Sequence, residues 1–150
     1  MNWSKDGLLI SDEKMMLQPE YIHDYLSNKS YWAADIPLET VKKSIDGSVC
    51  FGIYDANLQI GFARVVTDKA TFGYLADVFV DENYRGRGLS KWLMEVVLSY
   101  PDLQGLRRWM LGTRDAHELY KKFGFEELEN PQRIMHIHHP EVYKKKNVEL

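Results

Sequence analysis

An α+β fold in α/β/α layers is predicted, with a mixed central β-sheet of six to seven strands and helices on both faces. Three features of the sequence predict it. Two stretches with helical spacing come early, "QPEYIHDYLSN" and "IPLETVKKSIDGS". Three apolar runs, "SVCFGIYD", "QIGFARVVTD" and "FGYLADVFVD", then succeed one another as a meander. The last third alternates strand and helix patterns, and a strand–helix–strand unit of this kind closes as a parallel pair by a right-handed crossover.

The elements follow in order. "GLLIS" (7–11) reads as the first strand. Tyr21, Tyr25 and Leu26 recur at helical intervals behind Pro19, which suits a first turn. Leu38, Val41 and Ile45 repeat the pattern, with Gly47 as the stop. "ANL" between the next two runs is a hairpin signal. Strict alternation in the second run puts Ile60, Phe62, Arg64 and Val66 on one face, and Gly61, Ala63 and Val65 on the other. "FGYLADVFVD" is apolar at nearly every position but Asp77, the mark of a central strand covered on both faces. Leu89, Trp92, Leu93, Val96, Val97 and Tyr100 form the stripe of a core-facing helix, ended by Pro101. "LRRWMLGT" (106–113) reads as a strand. "DAHELYKKFGF" reads as a short helix with Ala116, Leu119, Tyr120 and Phe123 inward and Gly124 as its stop. "RIMHIHH" is expected as a last strand.

A chain of 150 residues is the size of one domain, here 1–150, with enough length for a real core. Nineteen basic and twenty-two acidic residues give a net charge of −3, which argues against a nucleic-acid partner and is compatible with a cationic substrate. The single cysteine, Cys50, cannot form an internal disulfide and reads as a small buried apolar residue. "MNWSKDGLLISDEK" has no signal-peptide core, and no run approaches the ~18 apolar residues of a membrane span. A cytoplasmic protein with no membrane partner is therefore expected, and a homodimer stays open. Lys144 to Lys146 read as a solvated tail.

One stretch carries chemistry. "YRGRGLSKWLMEVV" sets Gly86 and Gly88 between Arg85 and Arg87 where a helix begins. A helix N-terminus offers unpaired N–H groups and the positive end of a dipole. Glycines let a diphosphate approach that backbone, and arginines add charge. The spacing is neither GxxxxGK[ST] nor GxGxxG, since Lys91 stands where a third glycine would be. Taken alone, the loop is equally a tight turn with solvated arginines.

With its context, the sequence resembles the GNAT superfamily of acetyl-CoA-dependent N-acetyltransferases. Arg85, Gly86, Arg87, Gly88, Leu89 and Ser90 follow that family's [Q/R]-x-x-G-x-[G/A] pattern at the expected offset after "DVFV", with Ser90 in place of the last small residue. Thr113, Ala116, Tyr120, Gly124 and Phe125 follow its second signature, with Thr113 in place of the usual Asn. The likeness covers roughly residues 49–126. It implies the acyl-CoA N-acyltransferase (GNAT) fold, acyltransferase activity (EC 2.3.1.-) and acetyl-CoA as cosubstrate.

The resemblance further implies roles. The backbone N–H groups of residues 86 to 90 would hold the pyrophosphate, with Arg85 and Arg87 beside it, and Thr113 would stand near pantetheine. Val78, Phe79 and Val80 would lend backbone groups to the pantetheine arm, and the N–H of Val78 or Phe79 would polarise the thioester carbonyl. Tyr120 would be the general acid for the departing thiolate. Where some relatives carry Glu, this chain has Ala76, leaving Asp77 to take a proton through water or to hold the cationic amine. The plainer readings are a core strand at 78–80, a core tyrosine and a structural carboxylate.

Tyr31 and Trp32 are expected to wall the acceptor pocket or to pack as a lid. Arg64 reads as a handle for an anionic group of the substrate or as a solvated charge. His136, His138 and His139 lack partners at a metal-ligand interval, and no metal is expected. The expected activity is transfer of acetyl from acetyl-CoA to a primary amine, on a small molecule or a protein, by direct attack. The alternative is a non-catalytic acyl-CoA-binding sensor or interaction module, which would have no need of Tyr120.

Overall fold

Short turns and alternating apolar residues let each strand pair with the segment next to it, so the sheet follows sequence order throughout. The computed structural model describes residues 1–144. Its strands are β1 (Asn2–Lys5), β2 (Leu8–Ser11), β3 (Val49–Asp55), β4 (Leu58–Thr67), β5 (Phe72–Val80) and β6 (Arg108–Leu111), in that spatial order. The helices are α1 (Pro19–Lys29), α2 (Leu38–Asp46), α3 (Leu89–Ser99) and α4 (His117–Lys121). All neighbouring pairs are antiparallel except β5 and β6, which run parallel across the α3 crossover. The mixed sheet is as expected, with six strands.

Two cores flank it. On one face α3 presses Leu93, Met94 and Val97 against Ile10, Phe51, Ile53, Val65 and Leu75. On the other, α1 and α2 press Ile22, Leu26, Val41 and Ile45 against Cys50, Phe62 and Phe79. Each fully buried aliphatic or aromatic side chain contributes about 1.5–3 kcal/mol, so both helix layers are held strongly. Cys50 is 2% exposed, and burial pushes its thiol up to about 11, so it behaves as a core residue.

Several expectations need correction. β1 was not legible in the sequence; the Trp3 ring holds it, 6.3 Å from Phe51 and 6.2 Å from Tyr100. Ile60 does not share the face of Phe62. The β3–β4 register shifts between Ile53 and Tyr54, and Ile60 joins the α3 core with Ala63 and Val65. A bulge adds one residue and so reverses the face of what precedes it. β5 is covered on both faces only toward its end, because Phe72 and Tyr74 are 36% and 38% exposed. "RIMHIHH" is not a strand of this sheet: residues 134–139 have no ladder partner among the described residues. Lys145 and Lys146 lie outside the described residues. Among those residues no helix is long and apolar enough to cross a membrane.

Candidate active site

The site begins where two strands part. β5 and β6 pair only from Phe72 and Arg108 to Leu75 and Leu111. Beyond that point a cavity of about 370 Å³ lies between Ala76, Asp77 and Val78 on one side and Gly112 and Thr113 on the other. β5 is also bulged here. Between the pairs Arg64–Ala76 and Phe62–Phe79 it takes three steps while β4 takes two.

Asp77 carries the distortion, with φ at 54°. A non-glycine residue in that region costs on the order of 1–2 kcal/mol, so other contacts must offset it. They do. Asp77 Oδ2 accepts from Arg64 Nε at 2.9 Å, and Oδ1 accepts from Trp32 Nε1 at 2.8 Å. Arg64 Nη1 donates in turn to Ser48 Oγ at 3.0 Å. The ion pair is largely withdrawn from solvent, with side-chain exposures of 17% for Arg64 and 9% for Asp77. Arg64 is therefore not a solvated charge: it is paired to Asp77 through Nε, and it lines the cavity.

The backbone pattern distinguishes the candidate amides. The Asp81 N–H donates to the Ile60 carbonyl of β4 at 2.7 Å. Successive residues turn their polar groups to opposite edges of a strand. Counting back, Phe79 faces β4 as Asp81 does, whereas Val80 and Val78 face the open edge. Of the two amides considered, only that of Val78 is directed at the gap. The Val80 carbonyl on that edge already accepts from Arg85 Nε at 3.4 Å.

The glycine loop lies just beyond. Gly86 and Gly88 have φ of 80° and 74°, and a Cβ on either would meet nothing within 4 Å. Glycine is thus required here by backbone conformation and not by crowding. Gly88 caps α3 without a side chain, and its carbonyl accepts from the Trp92 amide at 3.1 Å. No amide of residues 86–90 donates to an acceptor among the described residues. Arg85 knits the loop to its surroundings, since its Nη2 donates to the Tyr25 hydroxyl at 3.1 Å. Arg87 lies with its guanidinium 5.0 Å from the Tyr84 ring. Leu89 is buried in the α3 core, so only its backbone can serve a ligand, and Ser90 is half-buried.

Across the gap stands Tyr120 of α4. Its side chain borders the cavity together with Val78 and Thr113, no hydrogen bond among the described residues engages its hydroxyl, and its ring meets Phe125 edge-on at 5.9 Å. Burial, and then the neighbouring Tyr31 and Asp115, hold its phenol above the usual tyrosine range, so it stays protonated at neutral pH. Thr113 Oγ1 is occupied as an acceptor by the Ala116 amide at 3.0 Å and the Asp115 amide at 3.4 Å. Its hydroxyl proton remains available to donate.

Tyr31 and Trp32 meet edge to face at 5.1 Å on the rim of the cavity. The Tyr31 hydroxyl accepts from the Arg114 amide at 2.9 Å, and the Arg114 guanidinium lies 3.9 Å from the ring centre. With Trp32 on Asp77, this aromatic pair ties the β5 bulge to the turn after β6. Tyr74, Ser44 and Asp115 also line the cavity, and sequence reasoning missed them. Only Tyr74 carried a signal, its two-residue spacing from Ala76 in an alternating strand. His136 and His138 lie elsewhere with stacked rings, and no metal-binding group of three side chains gathers among the described residues.

A sheet opened beside a glycine loop and a helix N-terminus is the fold of the acyl-CoA N-acyltransferases. The sequence profile of the acetyltransferase (GNAT) domain matches residues 46–127, and the chain belongs to that family. A Gibberella zeae protein provisionally assigned as an acetyltransferase is 32% identical, over 81% of this chain and 80% of its own. A crystal structure from Xanthomonas campestris pv. campestris, provisionally assigned to the GNAT family, is 46% identical, with a TM-score of 0.91 over 95% of this chain and 100% of that one. An Elizabethkingia anophelis GNAT acetyltransferase solved with acetyl-CoA bound shares the fold at 17% identity, with a TM-score of 0.61 over 81% of this chain and 78% of that one.

Proposed function

We propose that the chain transfers an acetyl group from acetyl-CoA to a primary amine by direct attack. One observation carries the reading: donors without partners occur at both ends of one gap. At the loop, the amides of residues 86–90 are free for a pyrophosphate; beside the gap, the Val78 amide and the Tyr120 hydroxyl are free for a thioester. The pyrophosphate would sit on the α3 N-terminus with Arg87 alongside, and pantetheine would run along the open edge of β5 past Val80, Val78 and the Thr113 hydroxyl.

The Val78 N–H would polarise the thioester carbonyl, and one such donor is worth about 2.7–4 kcal/mol where it operates. The amine nitrogen attacks the carbonyl carbon, the C–N bond forms and the C–S bond breaks. The entering ammonium loses one proton to solvent before its nitrogen attacks and a second through the cavity mouth as the amide forms, while Tyr120 protonates the leaving thiolate and is reprotonated from solvent. Asp77 already accepts from Arg64 and Trp32, but a carboxylate has about four lone-pair positions. Its role here is to hold the ammonium and to fix the bulge, which the geometry favours over proton relay. Tyr31 and Trp32 form the wall against the acceptor.

The test is thiol release from acetyl-CoA across a panel of alkyl diamines, amino acids, aminoglycosides and lysine-bearing peptides. At least one amine should yield an equivalent of thiol together with its N-acetyl product. Tight acetyl-CoA binding with no release for any amine would favour the non-catalytic binding module. Failure to bind acetyl-CoA at all would reject both readings.

A further inference from the structure

We propose, resting on the acetyl-transfer reading above, that the acceptor is a free α-amino acid, held by its carboxylate on Arg64 and by its ammonium on Asp77. Both residues line the cavity from neighbouring strands. Arg64 uses only part of its donor set within the chain, giving Nε to Asp77 at 2.9 Å and Nη1 to Ser48 Oγ at 3.0 Å. No hydrogen bond among the described residues engages Nη2. A guanidinium is planar, so the two bonds it makes also fix where the Nη2 donors point. The side chain is largely withdrawn from solvent, and a cation in that position calls for an acceptor on each donor.

An acid and a base joined side by side on one wall suit a ligand whose own charges are opposite and equally close. The head of an α-amino acid is such a group, with ammonium and carboxylate on one carbon. The Arg64–Asp77 pair is neutral as a unit, and so is the zwitterion. Because Arg64 already shares its charge with Asp77, a monoanion such as a carboxylate is what its remaining edge can match. Thr40 of α2 lines the same cavity one helical turn from Ser44, and no hydrogen bond among the described residues engages its hydroxyl. It supplies a further donor on the α2 side, where Arg64 reaches Ser48.

The same seating aims the nitrogen. Asp77 precedes Val78, whose amide is directed at the gap, so an ammonium on Asp77 stands beside the position of the thioester carbonyl. The C–N bond to the α-nitrogen forms as the C–S bond breaks. The ammonium gives up two protons in all, the thiolate takes one from Tyr120, and solvent restores that one, leaving the N-acetyl amino acid and free coenzyme A. Asp115 is the competing feature, since a second carboxylate on the cavity would suit a diamine. It is exposed on the Tyr120 side, where water solvates it, and a diamine would leave Arg64 Nη2 with no acceptor.

The test is acetyl transfer to matched triplets: each L-amino acid, its carboxamide and the amine left by decarboxylation, read as N-acetyl product and released thiol. At least one amino acid should exceed both of its partners in kcat/KM by about 100-fold or more. Arg64→Lys keeps a cation beside Asp77 but loses the planar fork. It should raise the KM for that amino acid at least about tenfold, with the KM for the decarboxylated amine and the acetyl-CoA affinity within about threefold. Thr40→Val, nearly isosteric, should shift the same KM in the same direction by about threefold, and it supplies the readout if Arg64→Lys does not fold. Carboxamides or decarboxylated amines that react as well as the amino acids overturn the proposal and leave the transfer reading standing. A loss in Arg64→Lys that is equal for amino acid and amine overturns the carboxylate role of Arg64. Acetyl transfer to no amine at all overturns both readings.

Discussion

The glycine loop and the Asp77 bulge both place residues in left-handed backbone, for opposite reasons. Gly86 and Gly88 do so with open space around them and with their neighbours' amides unpartnered. Asp77 does so at a cost in strain, held by side chains 13 and 45 positions away in sequence. The first device is local and leaves donors free. The second is tertiary and leaves almost nothing free. A phosphate can be met by backbone alone, so a six-residue motif suffices to specify that end. An acceptor must be met by side chains, which several distant elements have to deliver together.

Substitutions at the two ends should therefore separate binding of the donor from handling of the acceptor. The largest effect is expected at the loop. Gly88→Ile puts a β-branched residue at a φ of 74° and fills the open face, so acetyl-CoA affinity by calorimetry should fall more than about 100-fold while the helical signal persists. Unchanged affinity would remove the loop from donor binding.

Tyr120→Phe comes next. It should lower kcat by about 100-fold and leave acetyl-CoA affinity within about twofold, because the lost proton acts only as the thiolate departs. Equal turnover would take Tyr120 out of the mechanism. Its raised pKa has a sign that can be checked as well. The stabilisation from burying the neutral phenol is complete below the unfolded value of about 10 and is lost as pH rises through the higher folded value. Alkaline unfolding followed by fluorescence should accordingly be shallower in Tyr120→Phe.

At the bulge the effects are smaller and shared. Asp77→Asn keeps the shape and removes the charge that pairs Arg64, and should cost about 1–3 kcal/mol of stability and about tenfold in kcat/KM for the amine. If Asp77 holds the bulge, Arg64→Met reproduces most of that loss and the acidic limb of the pH–rate profile survives in both. Disappearance of that limb in Asp77→Asn alone would make Asp77 the base. Smallest of all, Trp32→Phe removes one hydrogen bond, and should change stability by about 0.5–1.5 kcal/mol and raise the acceptor KM a few-fold, with donor binding untouched.

Most of the architecture was legible before any coordinates. The stripe from Leu89 to Val97, the hairpin at Ala56 and Asn57, and Pro19 at the head of α1 each follow from short-range rules and stand where the pattern puts them. The misreadings share a cause. Nothing near Ile60 announces that it is the extra residue of a bulge, because the bulge exists only in the register of β4 against β3. "FGYLADVFV" holds no glycine after Gly73, so its left-handed turn at Asp77 is invisible without Arg64 and Trp32. Arg64 looked solvated because its partner is 13 residues away, across a strand pair. "RIMHIHH" alternates as a strand does and was expected as one, but a strand needs a neighbour, and residues 134–139 have no ladder partner among the described residues.

The sequence by itself determined the class of fold, the layers and the free amides at the head of α3. Those depend on propensity, periodicity and the permissive backbone of glycine, all of which act over a few residues. Only the tertiary structure decided which amide faces the gap, that Asp77 is tied by Arg64 and Trp32, and that Tyr120 has an unclaimed hydroxyl. Each of those is fixed by a partner far away along the chain, and a distant partner becomes effective only once the sheet has brought the two together.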